Sequence, residues 1–224
     1  MIQANIGIKK AKAAFGMILV LAGLGAQQAS AQSLDIPSKA WGVSIGNSRE
    51  FAGLRFNFRD SRVVRVTGVN VTLWQPKKDN KSAVVRGLSL GLIPGGGDMA
   101  GLQLGILGPA AETKMTGLNL GLIGIGAGAP KVRGLAVAGI GVGGVDLTGA
   151  FLAGAMVRVE QEGRLTGLAV SAVNYLKGTL NGVSIGLVNY AWHLAKGFQL
   201  GLVNIVRDNP PGLKVLPVFN THFK

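Results

Sequence analysis

The stretch Gly182-Val-Ser-Ile-Gly-Leu-Val-Asn-Tyr190, followed by Gly197-Phe-Gln-Leu-Gly-Leu-Val-Asn-Ile205, decides the fold. With the first glycine of each as position zero, positions one, three and five are apolar: Val183, Ile185 and Leu187, then Phe198, Leu200 and Leu202. Alternation with a period of two marks a strand with one buried face. The two copies start 15 residues apart, so the unit is a repeat.

Working outward, the same Gly-apolar-x-apolar unit starts at Gly42, Gly53, Gly68, Gly87, Gly101, Gly117, Gly134, Gly149 and Gly167, and again at Gly212. Position two is mostly polar or small, as in Ser44, Arg55, Asn70, Ser89, Gln103, Asn119 and Gln199, and is expected to face solvent or a close neighbour. Another apolar residue stands two places before most glycines: Phe51, Val66, Val85, Met99, Met115, Val132, Leu147, Leu165 and Leu180. Both it and position one can enter one core only if the chain turns a corner at the glycine. Gly101, Gly117, Gly182 and Gly197 are therefore structural candidates, since glycine tolerates a positive φ and close backbone approach.

The pattern predicts an all-β, Gly-rich repeat array, a parallel β-solenoid with coils of about 15 residues. The alternative is an outer-membrane antiparallel β-barrel, with the apolar face toward lipid. The intervals show no alternation of short turns and long loops, and three Trp and two Tyr make poor aromatic girdles, which favours the solenoid. The even number of units and the terminal Phe223-Lys224 keep the barrel open.

The paired runs at Gly182 and Gly197 resemble the bacterial "surface repeat-containing protein" family first named from leptospires. The resemblance covers the C-terminal half well and the first units more loosely. It implies an exported, envelope-associated protein without known enzymatic activity, and no functional residues to transfer.

Residues 1–31 read as a secretory signal: Lys9, Lys10 and Lys12, an apolar run from Ala13 to Ala26, and Ala29-Ser30-Ala31. Residues 32–86 form basic N-terminal units, and 87–224 the regular repeats with a C-terminal cap. No cysteine is present, so packing and backbone hydrogen bonds must hold the fold. From Lys39 to Arg86, ten basic residues face only Glu50, Asp60 and Asp79. In an exported chain this excess suits anionic envelope components, meaning lipopolysaccharide, acidic glycan or lipid, or another surface protein, and not nucleic acid. Arg55, Arg59, Arg62, Arg65, Lys77 and Lys78 are the candidate anionic contacts. The expected location is periplasm, outer membrane or cell surface, with membrane insertion only in the barrel alternative.

Several motifs mimic chemistry. Ser44, Ser89 and Ser184 sit in G-x-S-x-G, but a nucleophile elbow needs a strand, a strained turn and a helix. The G-x-G-x-x-G at Gly139–Gly144 leads into the next repeat, not into a helix. His193 and His222 lack metal-ligand spacing, and Glu160 with Glu162 reads as a polar turn. The chain is thus expected to be non-enzymatic and to carry no cofactor. Asn174, Asn189 and Asn204 each stand seven residues after a glycine, on the apolar parity. They read either as a stacked amide ladder or as three independent turn residues.

Overall fold

The computed structural model describes residues 33–125 and 129–223. The signal segment, 1–31, lies outside the described residues. Fourteen strands follow one another: β1 (Ser33–Pro37), β2 (Trp41–Gly46), β3 (Glu50–Asn57), β4 (Arg65–Thr72), β5 (Val84–Gly91), β6 (Gly95–Gly105) and β7 (Ala110–Gly121). Then come β8 (Gly124–Ile125), β9 (Lys131–Ala138), β10 (Gly141–Ala153), β11 (Met156–Val170), β12 (Val173–Ile185), β13 (Val188–Val206) and β14 (Val215–Thr221). Pairing from β2 through β13 is parallel throughout, each strand beside the next, with β8 set against β10. Parallel pairing of successive repeats makes a β-solenoid and overturns the barrel, whose neighbours must run antiparallel.

The repeat glycines stand in one column. Gly42 pairs with Gly53, then Gly68, Gly87, Gly101, Gly117, Gly134, Gly149, Gly167, Gly182 and finally Gly197. At Gly117 φ is +112°, and a Cβ there would overlap the carbonyl oxygen of Gly101 one coil before. Only glycine permits this approach. Gly212 is outside the column: it occupies the turn before β14, with nothing near its missing Cβ.

Two ladders make up each regular coil. The first runs through the glycine; the second is shorter, as in Val173–Leu176 against Val188–Ala191. Register shifts separate them, between Gly144 and Asp146, Val159 and Arg164, and Leu176 and Thr179. The change of direction therefore lies before the glycine, at these irregularities, and the strand continues unbroken through the glycine itself. This corrects the expected corner, and with it the expected faces. The residue two places before the glycine is buried in all nine coils that were singled out, from Phe51 to Leu180. Parity then puts position two inside as well, and positions one and three outside. Accordingly Ser44, Asn119, Ser184 and Gln199 are fully buried, whereas Leu122 and Leu202 at position five are each 70% exposed.

In the C-terminal two-thirds Met115, Val132, Leu147, Phe151, Leu165 and Leu180 pack into one apolar cluster, beside the buried polar residues Asn119, Ser184 and Gln199. Toward the N-terminus polar groups take over. Arg55 is fully buried and bonds Asp60 and Asn70 at 2.6 Å each, Asn47 at 3.0 Å and Ser48 at 3.2 Å. Both ends are closed by a reversed strand, β1 antiparallel to β2 and β14 antiparallel to β13. Such caps cover the open edges that a stack of parallel coils otherwise presents.

Candidate functional site

Inverted burial leaves an apolar outer face. Position one carries Leu88, Leu102, Leu118 and Leu135 in register, and position three carries Leu90, Leu104, Leu120 and Val137. The same columns run from Val43 and Ile45 to Phe198 and Leu200. Eleven strands at about 4.8 Å give a face about 48 Å long, and positions one to five make it about 13 Å wide. That is a footprint of roughly 600 Å², at the upper end of the largest apolar patch on a typical monomer, a patch that is often functional.

Charge borders this face on the glycine's N-terminal side. Positions minus one and minus three carry Arg65, Arg86, Lys114, Lys131, Arg133, Arg164 and Lys196 against Glu50, Asp98 and Asp146. Arg86 grips Asp98 with two hydrogen bonds, at 2.8 and 3.1 Å, and these hold the Asp98 carboxyl below its ordinary range. The Arg86 guanidinium rises in turn, chiefly through the same bonds.

Within the face lies an apolar groove of about 820 Å³. Leu90, Leu104 and Leu120 form one wall; Leu92, Ile106 and Leu122 form the other. Between the walls the chain passes through Gly91, Gly105 and Gly121, where an added Cβ would meet the neighbouring backbone of Thr72, Gly108 and Gly124. Leu73 and Trp74 lie at the groove's N-terminal end. On the adjoining surface, Arg59, Lys77, Lys78 and Lys81 line a second depression of about 310 Å³, with Glu112 the sole acid. The two depressions share no lining residue but are neighbours along the chain, since Trp74 precedes Gln75 and Leu92 precedes Ile93. Arg59 is fixed beside that junction by its Nε hydrogen bond to the Gln75 carbonyl, 3.1 Å.

Of the basic residues singled out from sequence, the structure brings Arg59, Lys77 and Lys78 together. Arg62 is exposed beside Asp79, 3.7 Å away, and Arg65 is exposed on β4. Arg55 is corrected: its side chain is wholly inside, saturated by Asp60, Asn70, Asn47 and Ser48, and cannot reach an external anion.

Asn174, Asn189 and Asn204 lie on the inner side of the second ladder, with Leu176, Ala191 and Val206 two places on. They form an amide ladder. Asn174 Nδ2 donates to Asn189 Oδ1 at 2.7 Å, and Asn189 Nδ2 to Asn204 Oδ1 at 2.8 Å. Each amide also caps a turn carbonyl: Ile185 for Asn174, Leu200 for Asn189 and Gly201 for Asn204. Their parity differs from the apolar face because the chain has rounded a corner in between. Residue spacing suggested the ladder but not its side.

The catalysis-like motifs fall on structural positions. Ser44, Ser89 and Ser184 are buried mid-strand, and Ser44 bonds Ser48 at 2.9 Å. Gly141–Gly144 belongs to β10. Glu160 pairs with Arg158 at 2.9 Å, and Glu162 has a positive φ inside the register shift of β11. His193 contacts Asp208 through Nδ1, and the His222 ring lies 5.9 Å from that of His193. Among the described residues no cluster of three or more His, Cys, Asp or Glu could hold a metal, and no helix is long and apolar enough to cross a membrane.

No protein family, curated protein or solved structure matches the chain significantly.

Proposed function

We propose that this chain is a non-enzymatic, exported repeat protein of the bacterial envelope or cell surface, with a structural or adhesive role. The outer face carries the reading: about 600 Å² of laddered Leu, Val and Ile, bordered by basic residues, is a contact surface and not a reaction site. A rigid stack presents such a face without paying to order it on contact, which favours binding. The signal-like segment and the resemblance to surface repeat proteins point to the envelope. The channel reading belonged to the barrel and falls with it.

The test is fractionation of the producing cell with an epitope after Phe223, combined with protease treatment of intact cells. Recovery in the envelope fraction supports the proposal. Retention in the cytosol with the signal segment uncleaved would overturn it.

A further inference from the structure

The apolar groove and the basic depression are neighbours along the chain at Trp74-Gln75, where Arg59 is anchored. Five successive coils contribute to the groove, from Leu73 to Gly139, which at about 4.8 Å per coil makes it about 19 Å long. A bilayer's hydrocarbon core is about 30 Å thick, so one leaflet's acyl chain spans about 15 Å. An extended acyl chain therefore fits the groove lengthwise, its methylenes against Leu104, Ile106, Leu120 and Leu122. Each methylene removed from water adds to binding, which makes a long chain a far better occupant than a short apolar side chain.

The groove's ends differ. Beyond the coil of Gly139 no charged residue lines it, whereas at the Trp74 end the chain leads straight into Gln75, Pro76, Lys77 and Lys78. Lys77 and Lys78 are exposed, and Arg59 is anchored at Gln75. Four cations against Glu112 select an anionic head over a zwitterionic one, because a choline-type head returns as much repulsion as its phosphate gains.

We propose that this site binds one anionic, single-chain phospholipid-type amphiphile, the acyl chain in the groove and the phosphate against Arg59, Lys77 and Lys78. The inference deepens the envelope reading, on which it rests for the ligand's source. Binding in vitro and location in the cell are measured separately, so either can fail without the other.

Trp74 supplies the assay. In the full mature chain carrying Trp41→Phe and Trp192→Phe, Trp74 is the remaining indole, and bromine on an acyl chain quenches it only on contact. Brominated lysophosphatidylglycerol, titrated below its micellar concentration, should quench saturably at one equivalent. Brominated lysophosphatidylcholine should bind about tenfold more weakly, and glycerol phosphate, which lacks the chain, should not compete.

Ile106→Glu and Leu122→Glu change residues 57% and 70% exposed, so the fold tolerates them; each should weaken the anionic lipid about tenfold or more. Lys77→Glu with Lys78→Glu should weaken the anionic lipid and leave the choline lipid unchanged. Non-saturable quenching, equal affinity for both lipids, or insensitivity to the groove variants would overturn the proposal. Quenching that tracks self-association in size-exclusion chromatography would overturn it too, assigning the face to a second copy of the chain.

Discussion

Replacement of Asp60 by alanine tests whether the N-terminal coils are held by buried charge. The Asp60 carboxylate accepts four hydrogen bonds: from Arg55 Nη1 at 2.6 Å, Asn57 Nδ2 at 2.9 Å, Thr72 Oγ1 at 3.0 Å and Asn70 Nδ2 at 3.3 Å. Arg55 and Asp60 have side-chain exposures of 0% and 2%, so neither can turn to water when the other is removed. Asp60→Ala leaves the guanidinium with only neutral partners, and breaking a buried pair in this way costs about 3–5 kcal/mol. With a urea dependence of about 2 kcal/mol/M, the transition midpoint falls by about 2 M. Trp41 and Trp74 lie in the affected coils and Trp192 far along the stack, so urea unfolding of the Trp192→Phe protein reports on the N-terminal end. The double variant Arg55→Met/Asp60→Leu removes both charges and should recover the part of the loss that comes from the unpaired guanidinium, while the part from Asn70 and Thr72, which lose Asp60 in both variants, should remain. A cost below about 1 kcal/mol for Asp60→Ala, the range of exposed pairs, would show that water reaches Arg55 and refute the reasoning.

Gly117→Ala should disrupt the stack, since its Cβ overlaps Gly101, whereas Gly212→Ala should cost only the left-handed penalty of about 1–2 kcal/mol; thermal melts by circular dichroism compare them. Asn189→Leu breaks both links of the amide ladder and strands the Leu200 carbonyl, at about 1–3 kcal/mol for each buried group left unpaired, measured by denaturant midpoint. Leu147→Ala should cost about 2–5 kcal/mol and Leu122→Ser almost nothing; similar costs in the same denaturation series would contradict the assignment of faces. Because Arg86 lowers the Asp98 carboxyl from its unfolded value of 3.8, the pair's contribution is present above that pH and fades as acid titrates Asp98 below it. Arg86→Gln should thus narrow the stability difference to the parent at low pH, followed by urea midpoints across the acid range.

Much of the fold was written in the sequence, for a simple reason. A short repeat stacked on itself gives every residue the same environment in each coil, so the demands of one position appear a dozen times over. The glycine column, the buried residue two places before it, and the spacing of Asn174, Asn189 and Asn204 all announce themselves in this way. Composition could not say which face of the strand turns inward. Leu104 and Leu120 look like core and Gln103 and Asn119 like surface, but Gln103 and Asn119 are fully buried and the leucines half-buried on the outer side, because parity from Met99 and Met115 fixes the strand regardless of what is apolar. Charge was equally deceptive at Arg55, which counts among the cations of a basic segment and yet spends its charge on Asp60. The groove from Leu73 to Gly139 is built from the apolar positions three and five of the repeat, but the sequence did not show that they face outward. Its walls come from residues 14 to 19 apart that meet only when the coils stack, so the tertiary structure alone brings Leu73, Leu92, Ile106 and Leu122 together.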